Sequence, residues 1–159
     1  MAAIVATAVV FSFVLACGMP FAALGAFAAL IFSLRRALLL ASFGWLTNQV
    51  VGFGLLGYPT DPTTLAWGVA LGLSAVIAVV AASFVLRRWG SESAVFQTGF
   101  AFLAAWGAQQ ATVLVASSVL GGTVAAFAPS VVWFIFWTNA LAFIVFVIVQ
   151  LAGAKAGVA

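Results

Sequence analysis

Polar positions along this chain are few, and they cluster. Between the clusters run five apolar stretches, residues 2–34, 37–58, 63–86, 93–120 and 123–152. Arg35-Arg36, Pro59-Thr60-Asp61-Pro62, the run from Arg87 to Glu92, and Gly121-Gly122 separate them, and Lys155 follows the last. Each stretch exceeds the roughly 20 residues that a helix needs to cross the hydrocarbon core. None alternates apolar with polar residues, as a barrel strand would. The pattern predicts an all-α polytopic membrane protein, a single transmembrane helical domain over 1–159 with five transmembrane helices.

Cap signals refine the boundaries. Asp61 followed by Pro62 reads as N-cap and first helical position of the third segment. Ser91 reads as the N-cap of the fourth. Pro129-Ser130 places the start of the fifth spanning helix near Val131, leaving residues 123–128 as a short surface or re-entrant piece. The first segment is longer than one crossing needs, since as one helix it measures about 50 Å against a core of about 30 Å. Gly18-Met19-Pro20 sits at its middle. One reading is a single tilted helix kinked at Pro20, which is preferred; the other is a break at Pro20 that raises the count to six helices.

Charge sets the orientation. If the second to fifth helices each cross once, Arg35, Arg36, Arg87, Arg88 and Lys155 all fall on one side. The excess of Lys and Arg in cytoplasmic loops then places the C-terminus in the cytoplasm of a bacterial inner membrane.

Composition agrees and narrows the chemistry. Of 159 residues, 67% are hydrophobic and 4% charged, against about 25% charged in a soluble domain. A soluble fold and a disordered chain are both excluded. There is no histidine and a single cysteine, Cys17, so no metal site and no cofactor is expected. The two acids, Asp61 and Glu92, lie in the polar breaks. General acid–base catalysis therefore lacks candidates, and the chain is not expected to be an enzyme. The basic balance reflects membrane orientation rather than nucleic-acid binding.

Gly52-Phe53-Gly54-Leu55-Leu56-Gly57 matches a dinucleotide-binding fingerprint, but that reading needs a soluble strand–turn–helix unit. Inside a membrane helix the glycines mean close helix contact, or local unwinding before Tyr58-Pro59. Small residues recur at four-residue spacing: Gly18, Ala22 and Ala26 on the first segment, Gly68 and Gly72 on the third. Such rows let helix backbones approach. They serve packing within the chain or, in the sharper reading, docking of a partner subunit.

Neutral carboxamides carry the most information. Asn48 and Gln49, Gln109 and Gln110, and Asn139 fall near the middles of three helices. Each is costly in lipid without a partner, so all five should face inward. Trp106 shares the face of Gln109, and Trp133 and Trp137 form a ridge on the last helix. In one reading the amides bond to each other and fix helix register. In the other, Asn48, Gln49, Trp106, Gln109, Gln110, Trp133, Trp137 and Asn139 line a ligand-binding pocket. Trp67, Trp89 and Tyr58 lie at segment ends and read as interfacial anchors.

The long first segment, with its proline and the row Gly18, Ala22, Ala26, joined by Gly25 and Ala29, resembles the first helix of energy-coupling-factor substrate-binding subunits. Those subunits capture micronutrients and dock a transmembrane coupling subunit through that helix; they have six helices. The resemblance implies an uptake component that binds a small, neutral or weakly charged organic solute and works with a coupling subunit or as a homo-oligomer. The alternative is an accessory or assembly subunit of a larger membrane complex with no transport activity of its own.

Overall fold

The computed structural model describes residues 20–89, 93–122 and 127–155. They form five helices, with no strand among the described residues. These are α1 (Phe21–Ile31), α2 (Leu34–Gln49), α3 (Pro62–Arg88), α4 (Ala94–Leu120) and α5 (Pro129–Lys155), with a π-helical segment, Val50–Leu55, continuing α2. Four are long and apolar enough to span: Leu34–Leu55, Pro62–Arg88, Ala94–Leu120 and Pro129–Gly153. This is a helical membrane protein, and its core has the composition of one. More than half of the buried apolar residues are alanine, while Leu, Val and Phe, such as Phe84 and Val119, crowd the exposed faces. Lipid solvates the large side chains as well as a protein core would, so the interior is built from close backbone approach.

The first helix differs from its expectation. Pro20 is the N-cap of α1, with φ −77° and ψ 70°, so no helix runs through it, and the single kinked helix is corrected. At the other end Phe32 and Ser33 are extended and α2 starts at Leu34. Arg35 and Arg36 therefore sit in the first turn of α2 rather than closing the first segment. With 11 residues, α1 is about 16 Å long and cannot span alone. It is buried on every side from Phe21 to Ala28 and packs against all four other helices. Phe27 and Phe146 meet there with ring centroids 5.7 Å apart. A side chain on Gly25 would meet Ala78 Cβ and the backbone nitrogen of Val79, both at 3.2 Å, so glycine sets the approach of α1 to α3.

Other boundaries follow local chemistry. Asp61 caps α3, accepting from the Thr63 and Thr64 N–H groups at 3.0 and 3.1 Å, and Pro62 follows it. The Thr64 hydroxyl donates to the same carboxylate at 2.6 Å. That bond, helped by the backbone N–H bonds, holds the Asp61 carboxyl below its ordinary value of 3.8. The cap is therefore fully made above that pH and is lost as the pH falls through the lowered value. Ser93, not Ser91, caps α4, accepting from the Phe96 N–H; residue 91 lies outside the described residues. The last helix begins at Pro129, two residues before the expected start.

The helix ends sort by charge. The start of α2 and the end of α3 border one cavity, and the end of α1, the start of α4 and the end of α5 border another. Arg35, Arg36, Arg87, Arg88 and Lys155 thus lie at one end of the bundle. The Tyr58–Pro62 turn and the αL glycine Gly121, which ends α4 with φ 80°, lie at the other.

Candidate functional site

A cavity of about 140 Å³ lies between α2 with its π-helical segment and α3, beside the turn at the uncharged end. Asn48 and Gln49 reach it from α2, Phe53 from the π-helical segment, Tyr58 from the turn, and Thr64, Trp67, Gly68 and Leu71 from one face of α3. Neither carboxamide forms a hydrogen bond to another described residue. Both are half-buried. Gln49 Oε1 lies 2.7 Å from where a Cβ on Gly68 would stand, so the glycine makes room for the amide. One turn earlier, Trp45 donates its indole N–H to the Gly68 carbonyl at 2.8 Å and rests on Gly72. Gly68 and Gly72 are therefore covered by side chains of α2.

The π-helical segment shapes the wall. One residue more per turn shifts the face that α2 presents after Gln49 and loosens the end of the helix. The Leu56 N–H bonds back to the Val51 carbonyl at 2.9 Å and the Tyr58 N–H to the Gly52 carbonyl at 3.0 Å. Gly57 turns the chain with φ 67°, and Tyr58 folds back over Gly52, edge-on to Phe53 at 6.1 Å. A Cβ on Gly52 would come within 2.7 Å of that ring, whereas nothing lies within 4 Å of one on Gly54. Tyr58 is the sole tyrosine, so a fluorotyrosine NMR signal reports it alone. Gly52→Ala is expected to move that signal as the ring leaves the cavity, and Gly54→Ala to leave it in place; an unmoved signal in Gly52→Ala contradicts this packing.

The remaining amides lie elsewhere. Thr98 of α4 and Gln150 of α5 border one cavity, and Gln109 and Asn139 each lie eleven residues inward from them. The two therefore share one depth, about 16 Å further into the bundle, level with the start of α1. There Asn139 accepts a hydrogen bond from the Ala23 N–H at 3.2 Å and donates to the Ile135 carbonyl at 3.0 Å. Its first bond satisfies a donor that a helix start leaves open, inside the bundle where water cannot. Gln109 is buried, and neither its Oε1 nor the Trp106 Nε1 has a partner among the described residues. Trp106 packs edge-on against Phe136 at 5.2 Å. Trp133 and Trp137 continue that aromatic row but are 61% and 47% exposed, so they face outward. Gln110 is half-buried.

The structure thus brings Asn48 and Gln49 together and keeps Asn139 and Gln109 with the start of α1. Of the small-residue row, Ala22 and Ala26 are fully covered by the chain itself, and Gly18 lies outside the described residues. Sequence reasoning missed Tyr58, Thr64 and Trp67 as cavity residues. The spacing of Thr64, Trp67, Gly68 and Leu71 on one helical face was the available signal. No family model, curated protein or solved structure matches the chain.

Proposed function

We propose that the chain is a small-molecule uptake component of a cell membrane, and that its solute occupies the cavity between α2 and α3. The observation that carries this reading is a pair of carboxamides, Asn48 and Gln49, without partners among the described residues in an aromatic-walled cavity. Aromatic walls with a few convergent polar groups suit an organic ligand. An amide both donates and accepts, so two of them read neutral polar groups. Among the described residues no charged side chain lines the cavity, which favours a neutral or weakly charged solute. Thr64, whose hydroxyl proton is committed to Asp61, offers only acceptor capacity. The volume is close to the roughly 150 Å³ of an apolar cavity that holds benzene, so the solute, or the part of it that enters, is of single-ring, micronutrient-like size.

The cavity lies toward the end away from the arginines, beside the turn at Tyr58. Under the positive-inside rule that end faces the outside of a bacterial inner membrane and the C-terminus faces the cytoplasm, as capture before uptake requires. Transport energy comes from the solute gradient or from a coupling subunit.

The test is solute binding by the purified chain and by Asn48→Leu and Gln49→Leu. Each variant removes one neutral hydrogen bond to solute, worth about 1–1.5 kcal/mol, so affinity falls about tenfold. Neither removes a hydrogen bond to another described residue, so thermal stability holds. Gln110→Leu leaves binding unchanged. Unaltered affinity in both variants overturns the proposal. A stable, stoichiometric complex with another protein, combined with no solute binding, gives the accessory-subunit reading instead.

A further inference from the structure

The opposite, charged end of the bundle holds a second cavity, of about 250 Å³, where the extended link between α1 and α2 crosses the end of α3. Three features of its lining point the same way. Ser33 is the N-cap residue of α2 in extended conformation, yet its side chain makes no capping hydrogen bond, and no acid lies in the first turn. The first N–H groups of a 16-residue helix are thus left without a side-chain partner. Ser83 of α3 also lines the cavity and is only 8% exposed. Buried helical hydroxyls usually return their proton to a carbonyl one turn back, as Ser74 does to Leu71 at 2.8 Å and Thr112 to Ala108 at 2.8 Å. The Ser83 hydroxyl makes no hydrogen bond to another described residue. Arg87, one turn further along α3, supplies a guanidinium to the same lining.

Every polar side chain here can donate, and among the described residues no carboxylate lines the cavity. Arg35 and Arg36, in the first turn of α2, have much of their surface open and add to the positive field. A helix N-terminus, a hydroxyl and a guanidinium together recognise a compact oxyanion with several acceptor oxygens. We infer that this cavity is a phosphate site, filled by Ser83 Oγ–H, Arg87 and the N-terminal N–H groups of α2 acting on one phosphate group. Both an anionic lipid headgroup and free phosphate present that chemistry. The inference is independent of the solute cavity at the other end.

The test uses the full chain in detergent, with phosphatidylglycerol, phosphatidylcholine and inorganic phosphate as probes, read by native mass spectrometry and by phosphorus NMR. The chain is expected to retain phosphatidylglycerol over phosphatidylcholine, or to bind inorganic phosphate directly. Binding of the preferred probe falls at least fivefold in Ser83→Ala and in Arg87→Gln. It holds in Arg88→Gln, which removes the same charge from a residue outside the lining. Ser33→Asp caps α2 with its own carboxylate and is expected to abolish binding without lowering the melting temperature, which separates loss of the site from loss of the fold. Displacement of the lipid by inorganic phosphate, with the same variant pattern, assigns the site to free phosphate; retention of the lipid assigns it to the headgroup. The inference is overturned if the wild-type chain holds none of the probes. It is equally overturned if Arg88→Gln weakens binding as much as Arg87→Gln while Ser83→Ala and Ser33→Asp change nothing, since general charge attraction then explains the result.

Discussion

Phe27→Ala is expected to lower stability by about 3 kcal/mol, near the bottom of the range for truncating a buried phenylalanine. Phe27 is 1% exposed and packs on Phe146, which is fully buried. Its ring sits in the short helix that every other helix touches. The loss is one of packing, because in a bilayer the unfolded helices remain in an apolar medium and the water-transfer component largely drops out. The ring also borders the cavity near Thr98 and Gln150, so its removal enlarges an existing void. Phe84→Ala is the control: that ring is 67% exposed on α3, lipid replaces its contacts, and the change should stay within about 0.5 kcal/mol. Reversible unfolding in mixed micelles measures both. Equal effects at the two positions would show that α1 is not the packing centre of the bundle.

Asn139→Leu is the second large effect, expected to cost about 1–3 kcal/mol. The side chain does two things at once. It accepts from the Ala23 N–H at the start of α1 and donates to the Ile135 carbonyl within its own helix. The first matters more, because the helix-internal carbonyl keeps other partners while the Ala23 N–H becomes an orphan donor inside the bundle. Gln109→Leu, at the same depth, has the opposite expected sign. Its carbonyl oxygen has no partner among the described residues, so an apolar replacement of similar shape removes an unpaired acceptor and is neutral or stabilising. The same unfolding measurement reads the pair. A destabilised Gln109→Leu would reveal a bound water or solute at that oxygen.

The spans were legible because polar residues are so rare that each cluster marks an end. Asp61-Pro62 was readable to the residue, since the cap and the proline each favour only that arrangement. The sidedness of the five basic residues followed from the same counting. The break at Phe32-Ser33 was not legible. Residues 21–34 hold no proline and no charge, only Gly25 and Ser33 as weak breakers, and nothing in them marks the extended backbone at Phe32 and Ser33. The amides were recognisable as polar groups needing partners, and the shared depth of Gln109 and Asn139 follows from helical rise. That Asn48 and Gln49 turn to a different cavity depends on α2 packing against Gly68 and Gly72 of α3, which one helix alone does not reveal. Tyr58 and Trp67 carried an interfacial explanation that was sufficient by itself; the fold-back of Tyr58 over Gly52 and the packing of the α3 face against α2 bring them to the carboxamides.

Whether a solute fills the cavity beside Asn48 and Gln49 decides the proposed function. Native mass spectrometry of the protein extracted mildly from its own membrane tests this most directly. The predicted result is a reproducible small organic adduct of single-ring size, present on the wild-type chain and strongly reduced on Asn48→Leu, in line with about tenfold weaker binding, while the variant stays folded. A wild-type chain that carries no such adduct, and is recovered only as a fixed partner of another membrane protein, would contradict it.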